Sequence, residues 1–191
     1  MFDRKKALFL CVVGVAVLVA GCAKKEEAPA PTPVVEEAAA PEPMIAIAVL
    51  QPRAGLDLSG TVSFSQVGVT VTIAAHVEGV APGKHGFHLH ELGDCSAEDF
   101  TSTGGHFNPT EAPHGGPADR VRHAGDFGNL EVGADGAGHL ELTSDMITVA
   151  TGPNTVVGRA VILHEGEDDL ESQPTGAAGG RIACGVVEPA G

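Results

Sequence analysis

Residues 69–78 read VTVTIAAHVE, and their alternation sets the fold class. Val69, Val71, Ile73, Ala75 and Val77 share one phase; Thr70, Thr72, Ala74, His76 and Glu78 share the other. Successive strand side chains point to opposite faces, so a period of two describes a half-buried β-strand. The same pattern recurs outward from this stretch. Upstream, Ile45, Ile47 and Val49 alternate, and Val62 with Phe64 form a second run. Downstream lie Lys84 to His90, then Leu130 and Val132, then Leu140 and Leu142 against His139 and Glu141, then Val156 to Leu163 and Ile182 to Val187. Asp135-Gly136, between the fifth and sixth runs, is a two-residue hairpin signal. Eight short strands, Gly-rich turns and no convincing amphipathic helix predict an all-β antiparallel sandwich or barrel.

Composition agrees and narrows the function. The chain has 191 residues with 43% apolar, enough for one domain with a packed core. Its 26 glycines and 13 prolines favour turns over long helices. Trp and Tyr are absent and the formal charge is −14, which speaks against nucleic acid as a partner. Phosphate binding needs a basic surface, and single strands need rings to stack on.

The first residues read as an address. Arg4, Lys5 and Lys6 precede an uninterrupted apolar run from Ala7 to Ala20, ending Leu18-Val19-Ala20-Gly21-Cys22. The run is short for a membrane span, which needs roughly 20 residues, and matches a secretory signal. Small residues before a cysteine resemble the bacterial lipobox, so residues 1–21 are expected to be a lipoprotein signal peptide and Cys22 the lipidated mature N-terminus. The expected location is the bacterial cell envelope, periplasmic or outer-membrane-associated, held to the membrane by lipid alone. Residues 23–43 are rich in Ala, Pro and Glu. With Cys22 they form a linker, reaching on the order of 60 Å if polyproline-like. The folded domain is expected over 44–191.

Nine histidines are the unusual feature, six of them between residues 85 and 123. In Gly86-Phe87-His88-Leu89-His90 the two histidines share a strand face and can touch one metal ion. Glu91 to Gly128 has little periodicity, and a loop of this length needs something to order it. It carries His106, His114, His123 and Asp126, three imidazoles and a carboxylate that make a tetrahedral zinc set. Metal binding would supply folding energy to a loop without its own core. His164 follows the apolar run Val161-Ile162-Leu163 and could complete a second site with His88 and His90. His76 and His139 fall on the polar phase of their strands and read as solvated.

Residues 84–191 closely resemble the copper/zinc superoxide dismutases. The matching strings are KHGFHLHELGD, GGHFNP, PHGGP, RHAGDFGN, VVGRAVILHEGEDDL and GGRIACGVV, in family order and near-family spacing. Residues 44–83 look like the first strands. The resemblance implies an eight-stranded Greek-key β-barrel, or immunoglobulin-like sandwich, with long metal-binding loops. It implies one copper and one zinc per subunit. Copper would be held by His88, His90, His106 and His164; zinc by His106, His114, His123 and Asp126. His106 would bridge both ions. Asp168 would link His88 to His114 from outside the ligand shell, and His85 would pack beside the copper site. Arg181 would attract and hydrogen-bond the superoxide anion. Two cysteines in the mature domain of an exported chain, Cys95 and Cys184, are expected to form a disulfide.

The implied reaction is dismutation in two halves. Superoxide reduces Cu(II) and leaves as oxygen. His106 releases copper and takes up a proton; a second superoxide reoxidises the metal and leaves as hydrogen peroxide, with protons from His106 and solvent. The expected role is protection of the envelope from extracytoplasmic superoxide. A rival is an envelope lipoprotein that buffers copper or zinc without turnover, and a weaker one a degraded fold used for adhesion. Neither needs Arg181 beside an open copper position. The segment from Asp168 to Arg181 is shorter than in eukaryotic members and lacks their lysine, while Glu91 to Gly105 holds four acids and no base. Steering should therefore rest mainly on Arg181, with little slowing by salt. Family dimers use different surfaces, so the sequence leaves a homodimer open.

Overall fold

The computed structural model describes residues 42–191. The signal peptide, Cys22 and nearly all of the linker lie outside the described residues. Eight strands follow one another: β1 Met44–Pro52, β2 Ser59–Val67, β3 Thr70–Glu78, β4 Gly83–His90, β5 Asp126–Val132, β6 Gly138–Ser144, β7 Ala160–His164 and β8 Arg181–Pro189. They close into an antiparallel barrel in the order β1-β2-β3-β6-β5-β4-β7-β8. The chain leaves β3 for β4 and β6 for β7 across the barrel ends, which is the Greek-key path. Among the described residues no helix is long and apolar enough to cross a membrane.

The interior is filled from the alternating phases. Val62, Phe64, Val71, Ile73, Val77, Phe87, Leu89, Phe127 and Leu130 are all buried. The Phe127 ring lies 5.9 Å from Phe87 and 6.3 Å from Phe64, centroid to centroid. β3 buries Val71, Ile73, Ala75 and Val77, the phase that its sequence assigns to the core. Val69, expected in the same strand, lies in the turn before it and is 79% exposed.

Three further expectations are corrected. The alternation in β1 is real, but Ala46, Ala48 and Leu50 face inward while Ile45, Ile47 and Val49 face out. Register explains the phase: Ala46 lies opposite Phe64 and Ala48 opposite Val62, so small side chains meet large ones in the tapering interior. The Asp135-Gly136 turn is not a two-residue hairpin. β5 and β6 are joined through Gly133–Ala137, closed by Gly133 N–H donating to the Ala137 carbonyl, with Gly136 at φ 80°. β7 begins at Ala160, because Val156–Arg159 form a turn in which Arg159 N–H donates to the Val156 carbonyl.

The β4–β5 connection, 91–125, is the segment that carries chemistry, with Asp126 already in β5. It is pinned in three places. Cys95 is disulfide-bonded to Cys184 on β8, closing a loop of sequence separation 89. The Arg159 guanidinium lies 3.5 Å from the centre of the Phe107 ring and donates to the Glu91 carbonyl. Gly125 packs so closely on β4 that a Cβ would collide with the Leu89 carbonyl. This approach lets Gly125 N–H donate to the Phe107 carbonyl, Phe107 N–H to the Leu89 carbonyl and Leu89 N–H to the Gly125 carbonyl.

Candidate metal centre

Strand register gathers the histidines. On β4, Phe87 and Leu89 fill the barrel, and His88 and His90 face the opposite side, under the long connection. His88 is opposite Asp126 on β5 and Ile162 on β7; His90 forms an isolated bridge with His106. β7 ends at His164, directly opposite Arg181, the first residue of β8. Irregular register at Gly86/His88 and at Leu163/His164 re-aims these side chains, as bulges do.

Two donor groups result, both fully buried: His88, His90, His106 and His164; and His106, His114, His123 and Asp126. Within each group one ligand atom per residue lies within 4.8 Å of all the others. Five buried imidazole nitrogens have no hydrogen-bond partner: Nδ1 of His88 and His114, and Nε2 of His90, His106 and His164. An unpaired buried polar atom is costly, and four of these five belong to the first donor group. Those of His88, His90, His106 and His164 make one all-nitrogen set, suited to copper. The residues present therefore fit the metals.

His106 belongs to both groups because its two ring nitrogens face different ways. Its Nδ1 is 2.8 Å from Asp126 Oδ1, while Nε2 is the orphan on the other side. The His88 ring stacks on it at 3.9 Å between centroids. Asp126 Oδ1 also lies 3.1 Å from His123 Nδ1 and 3.0 Å from His114 Nδ1. Its Oδ2 accepts from the backbone N–H groups of Gly115 and His123, which fixes the carboxylate.

Asp168 joins the groups from outside. His88 Nε2 lies 2.8 Å from its Oδ2 and His114 Nε2 3.0 Å from its Oδ1. Each ring thus turns its Nδ1 towards a metal position. Asn129 grips the Asp168 backbone at both N–H and carbonyl, and Leu170 N–H donates to the carboxylate. Gly176 (φ 68°) must be glycine here, because a Cβ would occupy the place of Asp168 Oδ1. His85 ligates nothing: its ring nitrogens lie 2.9 Å from the His164 carbonyl and 2.8 Å from the Ala81 carbonyl. His76 and His139 sit opposite each other on the exposed face of β3 and β6, apart from the centre.

Electrostatics prepare both groups. Burial pulls the His88 imidazolium down to about 3 and that of His164 to about 4, and holds His90 and His106 low, so these rings stay neutral. For His114 burial works against charge, but Asp168 and Asp126 outweigh it and raise its pKa. Asp126 stays ionised: burial opposes this, while His106 and His123 hold its pKa far below the carboxylate range. Arg181 is half-buried, which lowers its pKa, and Asp99 is the acid acting against that shift.

The sequence left several supports unnamed. Asn129 lies within a motif that drew attention for its histidine and aspartate, and Gln173, which accepts from His114 N–H, carries no local signal. Phe100, Thr103 and Gly104, which hold Arg181, lie in the aperiodic connection.

Residues 58–187 match the family described as copper/zinc superoxide dismutase (SODC). The chain belongs to the copper/zinc superoxide dismutase family. It is 44% identical over 151 residues to the extracellular Cu-Zn superoxide dismutase of Brugia pahangi, covering 74% of each chain. It also aligns with the crystal structure of the clock protein EA4, with a TM-score of 0.69 and 41% identity over 78% of this chain and 96% of that one. Copper and zinc are the metals of this family, and dismutation of superoxide is its reaction.

Proposed function

We propose that the chain dismutes superoxide at a copper site formed by His88, His90, His106 and His164, beside a zinc site formed by His106, His114, His123 and Asp126. The observation that carries the reading is the pair of buried donor groups sharing His106. Bound copper supplies the one-electron couple, Cu(II)/Cu(I), that oxidises one superoxide to oxygen and reduces the next to peroxide, while zinc supplies fixed charge.

The residues divide the remaining work. His106 would offer one nitrogen to each metal, and with zinc on its Nδ1 its Nε2 would carry a proton whenever copper does not occupy that atom. Asp126 and Asp168 hold the rings so that this nitrogen returns to one position. Arg181, opposite His164, presents a cation where a small anion must arrive. A buffer of metal has no use for that cation, which favours turnover over storage.

Cys22 is the lipid attachment point in this reading, and the linker holds the domain off a bacterial envelope membrane, where it removes extracytoplasmic superoxide. Ile47, Val49 and Val186 form an apolar stripe on the outer face of β1 and β8, around a shallow cavity closed by Glu188 and Pro189.

The test is superoxide decay catalysed by residues 44–191 loaded with copper and zinc, against the same protein loaded with zinc alone and against Arg181→Ala. Fast copper-dependent decay, reduced in Arg181→Ala at unchanged metal content, is expected. Both metals bound without decay would establish the buffering reading instead.

A further inference from the structure

Arg181 is not a free arm over the centre. Its Nη1 donates to the Phe100 carbonyl and to Thr103 Oγ1, each at 2.7 Å, and its Nη2 donates to the Gly104 carbonyl at 2.8 Å. All three acceptors come from one short 3₁₀ turn, Thr101–Thr103, and its two flanking residues. Phe100 takes a left-handed backbone there (φ 61°), uncommon for a bulky side chain, and both its carbonyl and that of Gly104 face the guanidinium. Two of the acceptors are backbone, so many side-chain sequences could supply them. The third depends on Thr103 alone.

Thr103 is completely buried, and its hydroxyl is fully used. It donates to the Phe100 carbonyl at 2.9 Å and accepts from Arg181. Its second lone pair lies 3.3 Å from His90 Nδ1. That nitrogen is also 2.9 Å from the Gly104 carbonyl, which can only accept, so Nδ1 carries the proton and Nε2 is the free donor atom. Nε2 is also the His90 atom left without a partner. One hydroxyl therefore touches both the arginine and a histidine of the proposed copper set.

We propose that Thr103 is a positioning residue: its hydroxyl fixes the Arg181 guanidinium relative to His90 and so sets where the anion is received. This rests on the reading of Arg181 as the anion-binding group. An arginine side chain has much rotamer freedom, and its ordering before the anion arrives removes a cost that binding would otherwise meet. The disulfide serves the same end, since it ties this connection to the strand that begins with Arg181.

The test compares Thr103→Val, which replaces the hydroxyl by a methyl of similar size, with Thr103→Ser, which keeps it. Thr103→Ala is the second variant should valine disturb the fold. The first readout is the rate of phenylglyoxal modification at Arg181, followed by peptide mass spectrometry on metal-free and metal-loaded protein, with Arg53 as internal reference. Arg181 should react several-fold faster in Thr103→Val and Thr103→Ala in both states, with Thr103→Ser like the parent. The second readout is dismutation, which should fall about ten-fold in kcat/KM at unchanged metal content and recover in Thr103→Ser. Equal Arg181 reactivity in all variants overturns the proposal. If Arg181→Ala itself keeps the full rate, the reading of Arg181 fails, and the modification data still report separately whether Thr103 holds the side chain.

Discussion

Removal of Asp168 should loosen both metals at once. Its carboxylate is the partner of His88 Nε2 at 2.8 Å and of His114 Nε2 at 3.0 Å, one ring in each donor group. Loss of such an outer carboxylate weakens metal binding by about 10–100-fold, which is about 1.4–2.7 kcal/mol per metal. Two buried imidazole N–H groups also lose their acceptor in Asp168→Ala, at about 1–3 kcal/mol each, and the half-buried Leu170 N–H loses its acceptor with them. The variant no longer has to desolvate a carboxylate, which offsets part of this. Metal-free stability should therefore fall by the lower part of a range of about 2–6 kcal/mol. The assay is competition against separate colorimetric chelators for copper and zinc. Parallel losses in both affinities are expected, whereas His123→Ala, within the zinc group alone, should weaken chiefly zinc. If Asp168→Ala releases one metal and leaves the other within about three-fold of the parent, far less than the expected loss, the carboxylate does not orient both rings.

Replacing Cys95 and Cys184 by alanine opens a loop of sequence separation 89, worth about 4.6 kcal/mol in the chain-entropy model. In calorimetry Tm should drop by about 9–18 °C for a domain of this size, and a drop of under ~3 °C would contradict the estimate. Asp99 acts on Arg181 as the opposing charge, so Asp99→Asn should raise kcat/KM by about two-fold at low ionic strength, and added salt should erase the difference. A parent rate that falls steeply with salt would instead show strong positive steering. The metal-free protein should lose stability as pH falls from about 6.5 towards 4. In that window the unfolded chain takes up protons that buried His88 (about 3) and His164 (about 4) refuse, and that His90 and His106, also held low, resist. His114 is raised and works the other way, and Asp126 and Asp168, both held low, add to the loss below about pH 4. A melting temperature that stays flat or rises from pH 7.5 to 4.5 would refute this.

The β-strands were legible because burial on one face writes a period of two into a local stretch, as in Val71 to Val77. The candidate ligands were legible because few residue types bind copper or zinc and this chain concentrates them. Asp168 and Arg181 were legible only through family resemblance, since a lone acid or arginine has no local signature. What local sequence could not contain was the relation between distant segments. Which phase of β1 faces inward follows from Ala46 lying opposite Phe64. Which nitrogen of each histidine is free follows from partners such as Asp168 and the Gly104 carbonyl, far away or across a turn. The grip of Thr103 on Arg181 spans 78 positions and leaves no pattern in either neighbourhood. Residue type and periodicity are properties of the chain itself, so they fixed the strand set and the donor chemistry. Register, tautomer and the orientation of Arg181 arise from closure of the barrel, which brings those groups within hydrogen-bond reach.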